Sequence, residues 1–182
     1  MHIRKKRTIE KFMSKLVFEP LLSPREIIEY GAFGGCYFGL PIEEYTNYDY
    51  DNLFNQLFDG LDIKLYLGEN YSPKINQFKL RSGMDYEYWK EMNWMHEDDP
   101  YGWFEWYCKY TLGRRHEDDD RQITRWQNFC GKNGRWKDRI YSNIYKTKDW
   151  KVSPRIQQSL LHWGYFVNDY DFEHWKYLNK KL

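Results

Sequence analysis

Rings have to fill the interior of this chain. Aromatic residues make up 20% of its 182 positions, with 9 Trp, 17 Tyr and 11 Phe, while Val, Ile, Leu and Ala are sparse. Each ring buries roughly 150–250 Å². At about 25 cal/mol per Å² of apolar surface removed from water, a dozen buried rings offset much of the ordering entropy of a domain this size. Disorder is therefore not expected even with 30% charged residues. The length suits one core, so the chain is read as a single domain over 1–182, with a basic amphipathic helix in 1–20 and a compact core in 21–182.

Apolar spacing and helix punctuation predict a mainly α fold, a compact bundle of about seven or eight short helices around an aromatic core. A first helix is expected over Thr8 to Val17, with Ile9, Phe12, Met13 and Leu16 on one stripe. Ser23-Pro24-Arg25-Glu26 has the form of a capping box, and that helix should stop at Tyr30-Gly31. Asp51 is the expected cap of a helix burying Leu53, Phe54, Leu57 and Phe58. Residues 61–80 lack helical period and leave room for one small β-hairpin. Ser82 to Asp85 starts a short helix with Tyr88, Trp89 and Met92 inward, and Asp99-Pro100 opens one that carries Trp103, Phe104, Trp106, Tyr107 and Tyr110. Being aromatic nearly all round, that helix should be central. Further helices follow from Asp118–Asp120 to Cys130, from Arg135 to Tyr145, from Ser153-Pro154 with Ile156, Leu160, Trp163 and Val167 aligned, and from Asp171 to Leu178.

The formal net charge of +1 conceals an acidic stretch over 20–100 and a basic one over 101–152. The cysteines Cys36, Cys108 and Cys130 are odd in number and far apart, which fits a reducing compartment. The apolar runs are far shorter than the ~20 residues a membrane span requires. The basic segment His2 to Arg7 precedes an amphipathic stretch rather than a signal-type apolar one. An intracellular protein of cytoplasm, nucleus or host cell is expected, with no membrane partner and no secretion.

The sharpest functional pattern is a basic pair of helices joined by Gly131-Lys132-Asn133-Gly134, the outline of a helix-turn-helix. Arg114, Arg115, Arg121, Arg125, Lys132, Arg135, Lys137 and Arg139 are the candidate nucleic-acid or anion-binding residues. Interleaved tryptophans offer stacking on unpaired bases as another mode. Against this stand a solvated helix face, and pairing of the arginines with Asp99, Glu105 and Asp120. The acidic clusters Glu97-Asp98-Asp99 and Glu117 to Asp120, each beside a histidine, would lie roughly 18 Å apart across a straight helix, so no metal site is expected. Gly31-Ala32-Phe33-Gly34-Gly35 lacks a phosphate-loop pattern, and His162 has no nucleophile partner legible in sequence. No catalytic residue is assigned, and no cofactor is expected.

The strings Asp99-Pro100-Tyr101-Gly102-Trp103-Phe104-Glu105-Trp106-Tyr107, Gly113-Arg114-Arg115, Asp120-Arg121-Gln122-Ile123-Thr124-Arg125-Trp126 and Arg155-Ile156-Gln157-Gln158-Ser159-Leu160-Leu161-His162-Trp163 resemble an uncharacterised protein family of phages, large viruses, algae and fungi. The likeness spans about residues 22–167 and implies no reaction, cofactor or catalytic residue. The function expected from the residues is a nucleic-acid-associated binding module, on DNA or RNA, using the basic surface of 114–146. The alternatives are a protein-interaction or structural component, viral in setting if the resemblance holds, and a phosphate-handling or metal-dependent enzyme.

Overall fold

The central helix of the computed structural model is made of residues that leave it almost no exposed face. The structure describes residues 17–39, 48–92 and 94–179, so the expected helix over Thr8 to Val17 lies almost wholly outside the described residues. In chain order the α-helices are α1 (Pro24–Glu29), α2 (Tyr50–Leu57), α3 (Tyr86–Glu91), α4 (Trp103–Thr111), α5 (Asp119–Cys130), α6 (Arg135–Thr147), α7 (Pro154–His162) and α8 (Asp169–Leu178). No strand occurs among the described residues, and the fold is mainly α with an aromatic core. In α4, every residue from Trp103 to Lys109 is buried. Phe18 sits edge-on to four rings at 5.2–5.3 Å, those of Trp106, Tyr107, Tyr110 and Trp126, tying the segment before α1 to α4 and α5. Most buried indole N–H groups have acceptors: Trp106 donates to Asp119, Trp126 to the Trp163 carbonyl, and Trp175 to Asp138.

Local chemistry sets the helix ends. Ser23 and Glu26 form the reciprocal capping box that starts α1. Asp49, rather than Asp51, caps α2 by accepting from Asn52 N–H at 2.9 Å. The largest departure from sequence expectation is α4, which starts at Trp103 with Gly102 as its cap at φ +86. Asp99 is not a cap, because its carboxylate pairs with Lys109 and Arg114 inside the protein.

The hairpin for which residues 61–80 left room does not form. Its place is taken by a 3-10 turn at Ile63–Leu65 and a run of turns. The backbone groups that a hairpin would pair internally are instead paired across to the loop after α1. Phe38 N–H donates to Tyr66 O at 2.8 Å, while Gly68, Ser72 and Gln77 N–H donate to Gly35, Gly34 and Gly31 O, each at 2.9 Å. Asn76, fully buried, pins this contact by accepting from Gly34 N–H and donating to Tyr71 Oη and Leu80 O. The approach is so close at Gly31, at φ +89, that a Cβ there would lie 2.2 Å from Ile75 O.

Candidate functional site

A cleft of about 1000 Å³ opens between the 82–95 segment, the start of α4, and helices α5, α6 and α7. Its walls are indoles from Trp89, Trp94, Trp103, Trp136 and Trp163, together with Phe129. Three guanidinium groups line it, those of Arg125, Arg135 and Arg155, and among the described residues no carboxylate does. Of the nine tryptophans, Trp106, Trp126 and Trp175 are interior filling, Trp103 is buried against the cleft, Trp89, Trp136 and Trp163 are half-buried on it, Trp94 is exposed along it, and Trp150 is exposed outside it. Trp163 stacks on Phe129 with centroids 4.9 Å apart and meets Trp103 at 4.5 Å, so the wall is a continuous ring surface. Trp103 Nε1 is buried without a hydrogen-bond acceptor among the described residues.

Arg125 is the most constrained of the three cations. Its guanidinium lies 5.5 Å from the Trp163 ring and 5.9 Å from the Trp94 ring, and donates to Gln122 Oε1 at 2.9 Å. No carboxylate of the described residues lies within ion-pair distance, since Asp118 is occupied by Arg121 and Gln122. Burial, then the Arg121 charge, brings its pKa down to about 10, which leaves it a cation at neutral pH. A half-buried, charged guanidinium beside two indoles and without a carboxylate partner among the described residues leaves uncompensated positive charge on the cleft wall.

The eight cations singled out by sequence are thereby sorted. Arg125 and Arg135 line the cleft. Arg114 pairs with buried Asp99 at 2.5 Å, Arg121 chelates Asp118, and Lys137 bonds Asp171 at 2.6 Å on α8. Arg115 lies 3.8 Å above the Tyr110 ring and donates to the Tyr110 carbonyl. Lys132 and Arg139 are exposed. Helix α6, the second of the basic pair, packs on α5, α7 and α8 with Ile140, Tyr141 and Ile144 buried, and Asp138 shares its exposed face with Arg135 and Arg139. Arg155, at the start of α7, completes the cleft set. Its one sequence signal was the Ser153-Pro154 helix start, which places it in a first turn.

Behind the cleft wall runs a buried charge network. Lys109 Nζ bonds Glu105 at 2.8 Å, the Asp98 carbonyl at 2.6 Å and Asp99 at 3.2 Å, and lies 4.0 Å from the Tyr48 ring centre. Burial pushes the Glu105 carboxyl up, against the opposing pull of Lys109. This network also overturns the separation expected for the two acidic clusters. Because residues 96–99 lie back along α4 beside Lys109, and Gly113 at φ +97 turns the chain, the His96 and His116 rings meet edge to face at 4.8 Å. The nearest ligand-type atoms of His96, Asp98 and His116 lie within 4.8 Å of one another. Their lone pairs are already engaged: Nδ1 of each histidine accepts the backbone N–H two residues on, at 3.2 Å, which puts the proton of the neutral ring on Nε2. His116 Nε2 then donates to Asp98 Oδ2 at 2.9 Å. In this arrangement the three side chains form a hydrogen-bonded clasp between the two acidic clusters.

In comparison with known proteins, no family model, no curated sequence and no solved structure matches the chain. Among the described residues no helix is long and apolar enough to cross a membrane.

Proposed function

We propose that this protein binds an unpaired stretch of nucleic acid in the tryptophan-walled cleft. The observation that carries the reading is the lining itself: three guanidiniums without a facing carboxylate, set among five indoles. Unpaired bases present planar faces that stack on aromatic side chains at about 1–3 kcal/mol per base, and the connecting phosphates require cations. A duplex hides those faces. On α6, Lys137 is held by Asp171 and the exposed Asp138 stands between Arg135 and Arg139, which weakens that face as a phosphate-contacting surface. A single strand is therefore favoured over the helix-turn-helix mode that the sequence outlines.

Quenching of tryptophan emission is the direct test, because the binding surface is made of the fluorophore. Titration with a single-stranded oligonucleotide of about twelve residues at low salt should quench the emission saturably. The matching duplex should compete poorly. Tighter binding of the duplex, or no quenching by either at low salt, would defeat the proposal.

A further inference from the structure

The floor of the cleft carries a histidine whose protonation is fixed by its neighbours. His162 Nε2 faces two N–H donors, the Phe33 backbone at 3.3 Å and the Gln158 side-chain amide at 3.1 Å. The Gln158 amide is itself oriented, since its Oε1 accepts from Phe78 N–H at 3.1 Å and its Nε2 also donates to the Gly31 carbonyl at 3.1 Å. With Nε2 accepting, a neutral imidazole must carry its proton on Nδ1. That nitrogen faces Gly83 on the cleft lining, where an added Cβ would sit 3.9 Å away, and it has no hydrogen-bond partner among the described residues. The ring is held flat against Phe33, with centroids 4.4 Å apart. Burial brings its pKa down to about 3, so the donor is uncharged at neutral pH.

The neighbouring hydroxyls do not supply the same hydrogen. Ser82 Oγ donates to the Arg155 carbonyl at 3.0 Å, which directs the Ser159 hydrogen into Ser82 Oγ at 2.6 Å. Ser159 stands one helical turn before His162 on α7, on the same face.

Resting on the proposed single-strand reading, we infer that His162 Nδ1–H is a base-recognition donor that accepts only an uncharged partner, the ring carbonyl oxygen of a stacked nucleobase. A phosphate oxygen is better matched by Arg125, Arg135 and Arg155, where charge meets charge, than by a neutral N–H at the buried floor. Thymine, uracil, guanine and cytosine carry such an oxygen. Adenine carries none; its ring nitrogens can accept but are set back from where an exocyclic oxygen reaches, so strands of adenine are discriminated against.

The test has two arms. In the unmodified protein, nitrogen-correlated NMR of the imidazole should find the His162 proton on Nδ1 at neutral pH, and this resonance should move when oligo(dT) of about twelve residues is added but not with oligo(dA). In titrations, oligo(dT) should bind about tenfold tighter than oligo(dA), as expected for one hydrogen bond. His162→Gln should erase that preference. A proton found on Nε2, or an unchanged preference in a folded His162→Gln protein that still binds both strands, overturns the inference alone. Failure of both strands to bind the unmodified protein overturns the single-strand reading and the inference with it.

Discussion

Acid should destabilise this protein through His162 at pH values above those at which Asp118 and Asp171 take up protons. The imidazole has its pKa brought from 6.5 to about 3 by burial, so the folded state refuses a proton that the unfolded chain accepts. The folded pKa is the depressed one. The stabilising contribution is therefore complete above the unfolded value and is lost as pH falls below it toward the folded value. Lowering the pH from about 7.5 to about 5 covers about 1.5 pH units below the unfolded pKa, which at about 1.4 kcal/mol per unit removes about 2 kcal/mol. The window lies above the range where Asp118 and Asp171 titrate, because both carboxyls are held below their ordinary values. In each, burial is outweighed by hydrogen bonds, from Arg121 and Gln122 in one case and from Lys137 and Tyr165 in the other. Urea unfolding at the two pH values, compared between the unmodified protein and His162→Gln, isolates the contribution. The unmodified protein should lose about 2 kcal/mol more than the variant across the window. Equal losses would mean that His162 is not buried neutral, and the tautomer reasoning for the cleft floor would fall.

Other consequences follow from particular contacts. Lys109→Met should cost on the order of 3–5 kcal/mol, because Asp99 and Glu105 would stay buried with one cation, Arg114, between them. A thermal melt little changed from that of the parent would show that the network is not held as a charged unit. Asn76→Ala should cost about 1–3 kcal/mol by leaving Gly34 N–H unpaired inside. Native-state hydrogen exchange checks it at the Gly34 amide, which should lose protection ahead of the helix amides. Below about pH 4 a second acid transition should appear as Asp118 and Asp171 take up protons, and its midpoint should move upward in Lys137→Ala, which removes one of the groups holding Asp171 down.

What sequence could see follows from which interactions are local. The capping box at Ser23 and Glu26, the Gly131 to Gly134 turn between α5 and α6, and the all-round aromatic character of α4 are set by neighbours in the chain, and the structure keeps them. Asp99 deceived the sequence reading for the opposite reason. Next to Pro100 it has the form of a helix cap, but its partners Lys109 and Arg114 meet it only once the chain has folded back. The same fold-back brings His96 to His116, which a straight-helix distance could not anticipate. Residues 61–80 carry short alternating runs around Ile63 to Leu67 and Ile75 to Leu80, yet Ile63 is exposed, the buried Tyr66 and Asn76 fall out of that alternation, and the backbone partners of the segment lie in the loop after α1.

The cleft was half legible. Charge density pointed to 114–146 and so reached Arg125 and Arg135, but pattern alone cannot separate a free guanidinium from one held by a carboxylate, as Arg114 and Arg121 are. Arg155, Ser159 and His162 line the same space from α7, beyond the 114–146 stretch, and nothing in their local sequence ties them to it.

The salt dependence of single-strand affinity bears most directly on the central claim, that three guanidiniums without counter-ions face the ligand. With three phosphates neutralised, the log–log slope should be about −2, at about 0.7 per contact, and Arg125→Ala should bring it nearer zero by about 0.7. A slope near zero in the unmodified protein, or one that Arg125→Ala leaves unchanged, would contradict the account.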